Sequence, residues 1–292
     1  RLVRIGMSVV SALCLFNIGG RFFDQRVGFA AAILFSVFPS SVFWGRAISP
    51  DVFALMCFLI STALLCYRPR GRSFWFSSLF FSLTVLTKPF YFAFVLFHLA
   101  FFIYDSVHHA YESEEWRIWF IVKQALLFYV GPIIAFVLWR GWVSTFPGSS
   151  VDPDLLSLLH DRQGWWQFWH NSDWISQLWY QRILGELFTP FGGLLAIIGS
   201  VLIFSTHRRV RWHVLFLCLG CFAIAYGVAW ASKVHDYYLL MLLPVGALTA
   251  GYGLVALVQG IKRALVFPSN RLDSFGARSA IGALLFFFYF LG

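Results

Sequence analysis

The sequence predicts an all-α, polytopic transmembrane helical bundle, and three observations predict it. Of the 292 residues, 60% are hydrophobic and 12% charged, with a mean hydropathy of +0.75. A soluble domain carries about a quarter charged residues. Several apolar runs reach the roughly 20 residues that cross a bilayer as a helix. The short alternating segments of a transmembrane barrel are absent.

The elements follow in order. Residues 5–20 make a first span, closed by the polar turn of Arg21, Asp24 and Arg26. A second span over 27–45 ends at Arg46 and Asp51, and a third over 52–67 runs to Arg68-Pro69-Arg70-Gly71-Arg72. Residues 73–104 read as a hairpin of two short arms broken at Lys88-Pro89. An arm of about 15 residues gives about 22 Å of helix, short of the roughly 30 Å of hydrocarbon. Interrupted short spans point to a binding site. A kinked hairpin with Lys88 reaching to the headgroups is the plainer reading of the same pattern. Spans over 118–139, 190–206, 214–231 and 239–260 follow. The whole of 1–292 reads as one transmembrane domain.

Between them, residues 140–186 form the longest extramembrane segment, an external loop that carries Trp142, Trp165, Trp166, Trp169, Trp174 and Trp179. Asp161, Arg162, His170, Asp173, Gln181, Arg182 and Glu186 are interleaved with them. This mixture predicts amphipathic helices lying in the interface plane. Aromatic anchoring at the headgroups accounts for the tryptophans; a lid over a lipid or sugar groove is the functional alternative.

Charge sets the orientation. The net charge is +9, but no basic run is long enough to suggest nucleic acid, and Lys and Arg in loops instead report topology. Loops near 21–26, 68–72, 105–123, 207–213 and 261–278 hold 14 of the 22 Lys and Arg residues and are predicted to be cytoplasmic. Asp51, Lys88, the 140–186 segment and the 233–238 junction then face the exterior. The five cysteines sit in or beside apolar spans; Cys218 and Cys221 have redox or zinc spacing but no second ligand pair nearby, so all five read as buried apolar side chains. The chain starts Arg1-Leu2-Val3-Arg4 and stops inside the apolar run Leu284 to Leu291, which reads as a fragment of a longer protein.

Function is predicted from three external junctions. The first is Arg46 to Asp51, the second Thr87-Lys88-Pro89, and the third Lys233-Val234-His235-Asp236-Tyr237-Tyr238. A carboxylate between two spans is costly unless it has a partner or a task. Lysine in a dry cavity suits phosphate as a point-charge partner. Aspartate can hold a divalent metal, position a lysine or act as a base. Tyr237 and Tyr238 can hydrogen-bond a phosphate or line an acyl groove. Together these fit the anionic headgroup of a lipid. The competing reading is an ion pair, Asp51 with Lys88 or Asp236 with Lys233, that only ties helices. No glycine-rich nucleotide loop, Walker motif, nucleophile elbow or H-E-x-x-H helix is present.

An ordered series carries a resemblance. It comprises Gly19-Gly20-Arg21-Phe22-Phe23-Asp24-Gln25-Arg26-Val27-Gly28, Ala30-Ala31-Ala32-Ile33-Leu34, Phe38-Pro39, and Arg46 through Asp51. It continues with Leu83-Thr84-Val85-Leu86-Thr87-Lys88-Pro89 and His235-Asp236-Tyr237-Tyr238-Leu239-Leu240 with Pro244. The series resembles the GT-C superfamily of integral-membrane glycosyltransferases. Within it, the chain looks most like the bacterial branch related to protein O-mannosyltransferases and the aminoarabinose transferase of lipid A. Members often have Gly after the Thr-Lys pair, where this chain has Pro89.

The resemblance implies a sugar leaving a polyprenyl-phosphate carrier on the periplasmic or external face of a bacterial inner membrane. The acceptor would be a lipid, glycan or protein, with surrounding membrane lipids as further partners and a divalent metal as the one cofactor it allows. The family's main catalytic carboxylate lies in a first external loop, which would precede Arg1. Asp51 matches the second acidic motif and is expected to support the site. Arg46, Lys88, Lys233, His235, Asp236, Tyr237 and Tyr238 are the expected substrate contacts. A lipid or solute transporter is the alternative function; it would show inverted repeats, and none stands out.

Overall fold

A computed structural model of the chain describes residues 2–46, 49–67, 71–108, 114–146, 172–207, 210–227 and 239–266. Every regular element among them is helical. Five helical stretches are long and apolar enough to cross a membrane: Leu2–Phe22, Pro50–Tyr67, Ile118–Val143, Gln177–Thr206 and Leu242–Arg263. Shorter apolar helices lie among them.

Helix α1 (Leu2–Phe22) leads through a turn into α2 (Gln25–Val37). Asp24 caps α2 by accepting from the Val27 N–H at 2.9 Å, as a short acidic side chain at this position should. The second span is not one helix, as the sequence predicts, but two. Pro39 has no N–H to continue α2 and pushes Phe38 into an extended conformation, so α3 (Pro39–Trp44) sets off anew. Helix α4 (Pro50–Tyr67) and α5 (Arg72–Thr87) follow. After α5 the chain makes a 3-10 turn over Pro89–Phe94 and returns as α6 (Val95–His108). Phe81 packs on His98 and Phe74 on Phe102, so α6 runs back antiparallel along α5 and the expected hairpin is present.

Helix α7 (Glu114–Val143) is the longest and carries Pro132 in its interior. A proline there leaves the carbonyl four residues earlier without its helical donor. That carbonyl belongs to Phe128, and the Ser78 hydroxyl of α5 donates to it at 2.7 Å. In hydrocarbon no water could do the same, so the serine makes the proline tolerable.

Beyond the segment 147–171, which lies outside the described residues, α8 (Ser172–Ser176) passes into a π-helical stretch, Gln177–Phe188, and then α9 (Thr189–Thr206). Helical structure therefore begins well before the predicted start of the span at 190. The rod is bent at Thr189, which has a φ of 66°, an unusual value for a β-branched residue. Leu184 packs against Gly193, nine residues on, although a straight helix would hold them about 13 Å apart. The Thr189 hydroxyl accepts from the Gly192 N–H and restarts the helix before Pro190. Helices α10 (Arg211–Gly227) and α11 (Leu242–Val266) complete the described bundle.

Close packing is achieved with small residues, as befits helices that gain little from hydrophobicity in lipid. A Cβ on Gly19 would stand 2.7 Å from the Gly28 Cα, and one on Gly251 2.7 Å from the Ala31 nitrogen. Contacts sort the helix ends into two sets. Phe22, Phe101 and His213 meet at one end, where Phe23, His207 and Tyr252 also meet. Arg4 with Arg46, Ser40 with Glu186, and Asp51 with Lys88 meet at the other.

Candidate active site

Helix α4 starts with Ser49, Pro50 and Asp51. Pro50 fits the first helical position, where an N–H would have no partner in the helix anyway. The Asp51 N–H donates to the Ser49 hydroxyl at 3.1 Å. The same hydroxyl donates to Asp51 Oδ2 in a short hydrogen bond. A carboxylate in the first turn is favoured by the partial positive charge of the helix N-terminus. Asp51 is nonetheless buried, 7% exposed, so its charge needs a closer partner.

That partner is Lys88. It follows α5, and its N–H closes the helix on the Thr84 carbonyl at 2.8 Å. Pro89 disfavours helical geometry in the residue before it, and Lys88 is extended, with φ −143° and ψ 96°. The helix therefore ends at this residue, and the lysine side chain turns toward α4. Its ammonium Nζ lies 3.0 Å from Asp51 Oδ1, with the two side chains only 17% and 10% exposed. The Asp51 oxygens are thus held separately, one by a hydroxyl and one by an ammonium.

The surroundings are apolar on the core side. Tyr91, one 3-10 turn past Lys88, is 4% exposed, packs on Phe58 and lies within electrostatic range of Asp51. The Thr87 hydroxyl donates to the Leu83 carbonyl of its own helix. Arg46 stands at the same end of the bundle and is exposed. Its carbonyl accepts from Arg4 Nη1 at 3.0 Å, which ties the approach to α4 onto the start of α1. A small cleft beside this junction, with room for little more than one water molecule, is lined by Ser8, Ser11, Ser41 and Trp44 together with Val52, Leu55, Leu240 and Leu243.

Of the residues expected from sequence, the structure brings Asp51 and Lys88 into contact and sets Arg46 at the same end. Lys233, His235, Asp236, Tyr237 and Tyr238 lie outside the described residues. Leu240 and Leu243, just after them, share the cleft with the turn of α4 that follows Asp51. Sequence reasoning missed Ser49, Tyr91 and Arg4. Ser49 had a signal: serine before proline before an acidic residue is a helix-start pattern. Tyr91 and Arg4 had none, since only the fold brings them near. Among the described residues no three His, Cys, Asp or Glu side chains gather to hold a metal ion, and all five cysteines are free thiols.

Comparison with known proteins bears on the same region. Residues 1–139, just under half of the chain, match the family model described as dolichyl-phosphate-mannose-protein mannosyltransferase. No curated protein matches the chain. The matched stretch contains Arg46, Asp51 and Lys88; over it the chain is similar to this family of GT-C glycosyltransferases, and the long apolar helices fit an integral membrane protein.

Proposed function

We propose that this glycosyltransferase-like chain moves a sugar from a polyprenyl-phosphate carrier to a lipid, glycan or protein acceptor at the external, periplasmic face of a bacterial inner membrane. One observation carries the reading. A largely buried ammonium, Lys88, is fixed at a helix end inside the family-matched stretch. A point charge in a site of low polarity is what a leaving phosphate needs.

The chemistry follows from that placement. As the bond between the anomeric carbon and the phosphate oxygen breaks, negative charge grows on the carrier phosphate. Lys88 stabilises that charge, and a fixed charge in a water-poor site does so without reorganising. The acceptor oxygen attacks the anomeric carbon as that bond breaks, and its proton passes to the departing carrier phosphate. Asp51 orients the lysine. Arg46 is exposed at the same end and suits an anionic carrier or acceptor group. Lys233, His235, Asp236, Tyr237 and Tyr238 are assigned to carrier or acceptor contacts on the resemblance alone. The described residues build no cation site by themselves, and no step here runs through a metal.

Charge supports the proposed orientation. Arg21, Arg26, Arg72, Arg211, Lys262 and Arg263 lie at helix ends opposite the Asp51 end, as basic cytoplasmic loops should. The test uses protein purified in detergent with a panel of radiolabelled polyprenyl-phosphate sugars and membrane-extract acceptors. Transfer by wild type, lost in Lys88→Ala with an unchanged elution profile, is the expected result. Absence of both transfer and carrier hydrolysis with every donor would overturn the reading.

A further inference from the structure

We infer that Asp51 is an internal stand-in for the carrier phosphate: it holds Lys88 until a phosphate displaces it, and takes the lysine back when the spent carrier leaves. This rests on the donor reading above and adds a role to it. Asp51 is then a positioning residue, and the base that accepts the acceptor's proton is another group.

The geometry points this way. Asp51 Oδ1 lies 3.0 Å from the Lys88 ammonium, the separation a phosphate oxygen would adopt. Oδ2 is bound by Ser49, whose hydroxyl also accepts from the Asp51 N–H. The serine belongs to the start of α4, so the carboxylate stays in place whether or not Lys88 is on it. Such a pinned anion can release a lysine and recover it without moving a helix. A phosphate can bind Lys88 in full only in the fraction of molecules where the carboxylate has let go, and its apparent affinity is reduced by that fraction. The same competition speeds departure of the carrier phosphate after transfer.

The test measures binding of sugar-free polyprenyl phosphate to the purified protein in detergent, alongside turnover at saturating donor. Removing the competitor in Asp51→Asn should tighten carrier binding by about tenfold and lower turnover, because release slows. Ser49→Ala unpins the carboxylate and should tighten binding by a smaller factor, about two- to threefold, while Ser49→Thr keeps the hydroxyl and should behave as wild type. In a Lys88→Ala background, Asp51→Asn should no longer change the affinity. Wild type that binds the carrier, with Asp51→Asn binding no more tightly, would overturn the stand-in role and leave the donor reading standing. Wild type that binds no carrier would overturn both. Should Asp51→Asn fail to fold, Ser49→Ala decides, and an unchanged affinity in that variant overturns the inference.

Discussion

Two polar pairs in this apolar bundle are built in opposite ways. Asp51 and Lys88 are charged, stand at the ends of α4 and α5, and are pinned by backbone features: a capped helix start and a proline-forced extended residue. His98 and Tyr129 lie within α6 and α7, with the Nδ1 and hydroxyl 2.9 Å apart. Aromatic rings surround that second pair, with Phe81, Phe128, Phe97 and Phe58 all within ring-contact distance of His98. His98 is fully buried, and its Nε2 makes no hydrogen bond among the described residues. One pair offers charge at a bundle end, with both side chains still partly exposed. The other offers a neutral hydrogen bond where nothing can reach. Polarity inside a membrane protein therefore marks function only when position and access agree with it.

The comparison can be broken by experiment. The largest effect is expected for Lys88→Ala, with sugar transfer falling by about 100-fold or more, as for other lost stabilisers of developing charge. The exchange Asp51→Lys with Lys88→Asp should be equally inactive; recovered transfer in that double variant would reduce the pair to a helix tie. His98→Leu should act on stability instead. It leaves a buried tyrosine hydroxyl with only the distant Val95 carbonyl, 3.4 Å away, and should cost about 1–3 kcal/mol in a detergent unfolding titration while turnover stays within about twofold. Ser78→Ala should cost about 1–2 kcal/mol in the same titration, because the Phe128 carbonyl beside Pro132 loses its donor. Arg182→Ala should change stability least, by about 0.3 kcal/mol, since its pair with Glu186 is an exposed one-turn contact. A stability loss from Arg182→Ala larger than that from Ser78→Ala would contradict the ordering.

Much of this was legible in the sequence. Apolar run lengths located most of the helices, and the alternation of the spans put Asp51 and Lys88 at the same end of the bundle. The sequence also offers Asp51 with Lys88 as an ion pair, and the structure contains it; the other pair that it offers, Asp236 with Lys233, lies outside the described residues. The break at Pro39 was visible as a proline in an apolar run, yet hydropathy alone carries the reader across it. The π-helical stretch over Gln177–Phe188 was not legible, because its apolar spacing differs little from that of an α-helix and the bend depends on Leu184 meeting Gly193. Ser78 could not be matched to Pro132 either. Their relation passes through the Phe128 carbonyl and exists only once α5 and α7 are side by side.

The shortness of α5 has a consequence for the lipid around it. Sixteen residues from Arg72 to Thr87 rise about 24 Å, less than the hydrocarbon thickness of an average bilayer. An element that falls short is met by neighbouring protein, by side chains that reach out to the headgroups or by thinned lipid, at a modest cost for each ångström of mismatch. Where thinned lipid is the response, the membrane dimples at the corner where Lys88 stands. A dimple brings water and headgroups inward there, and a hydrophilic acceptor gains a shorter route to a long-chain carrier than flat membrane would give it.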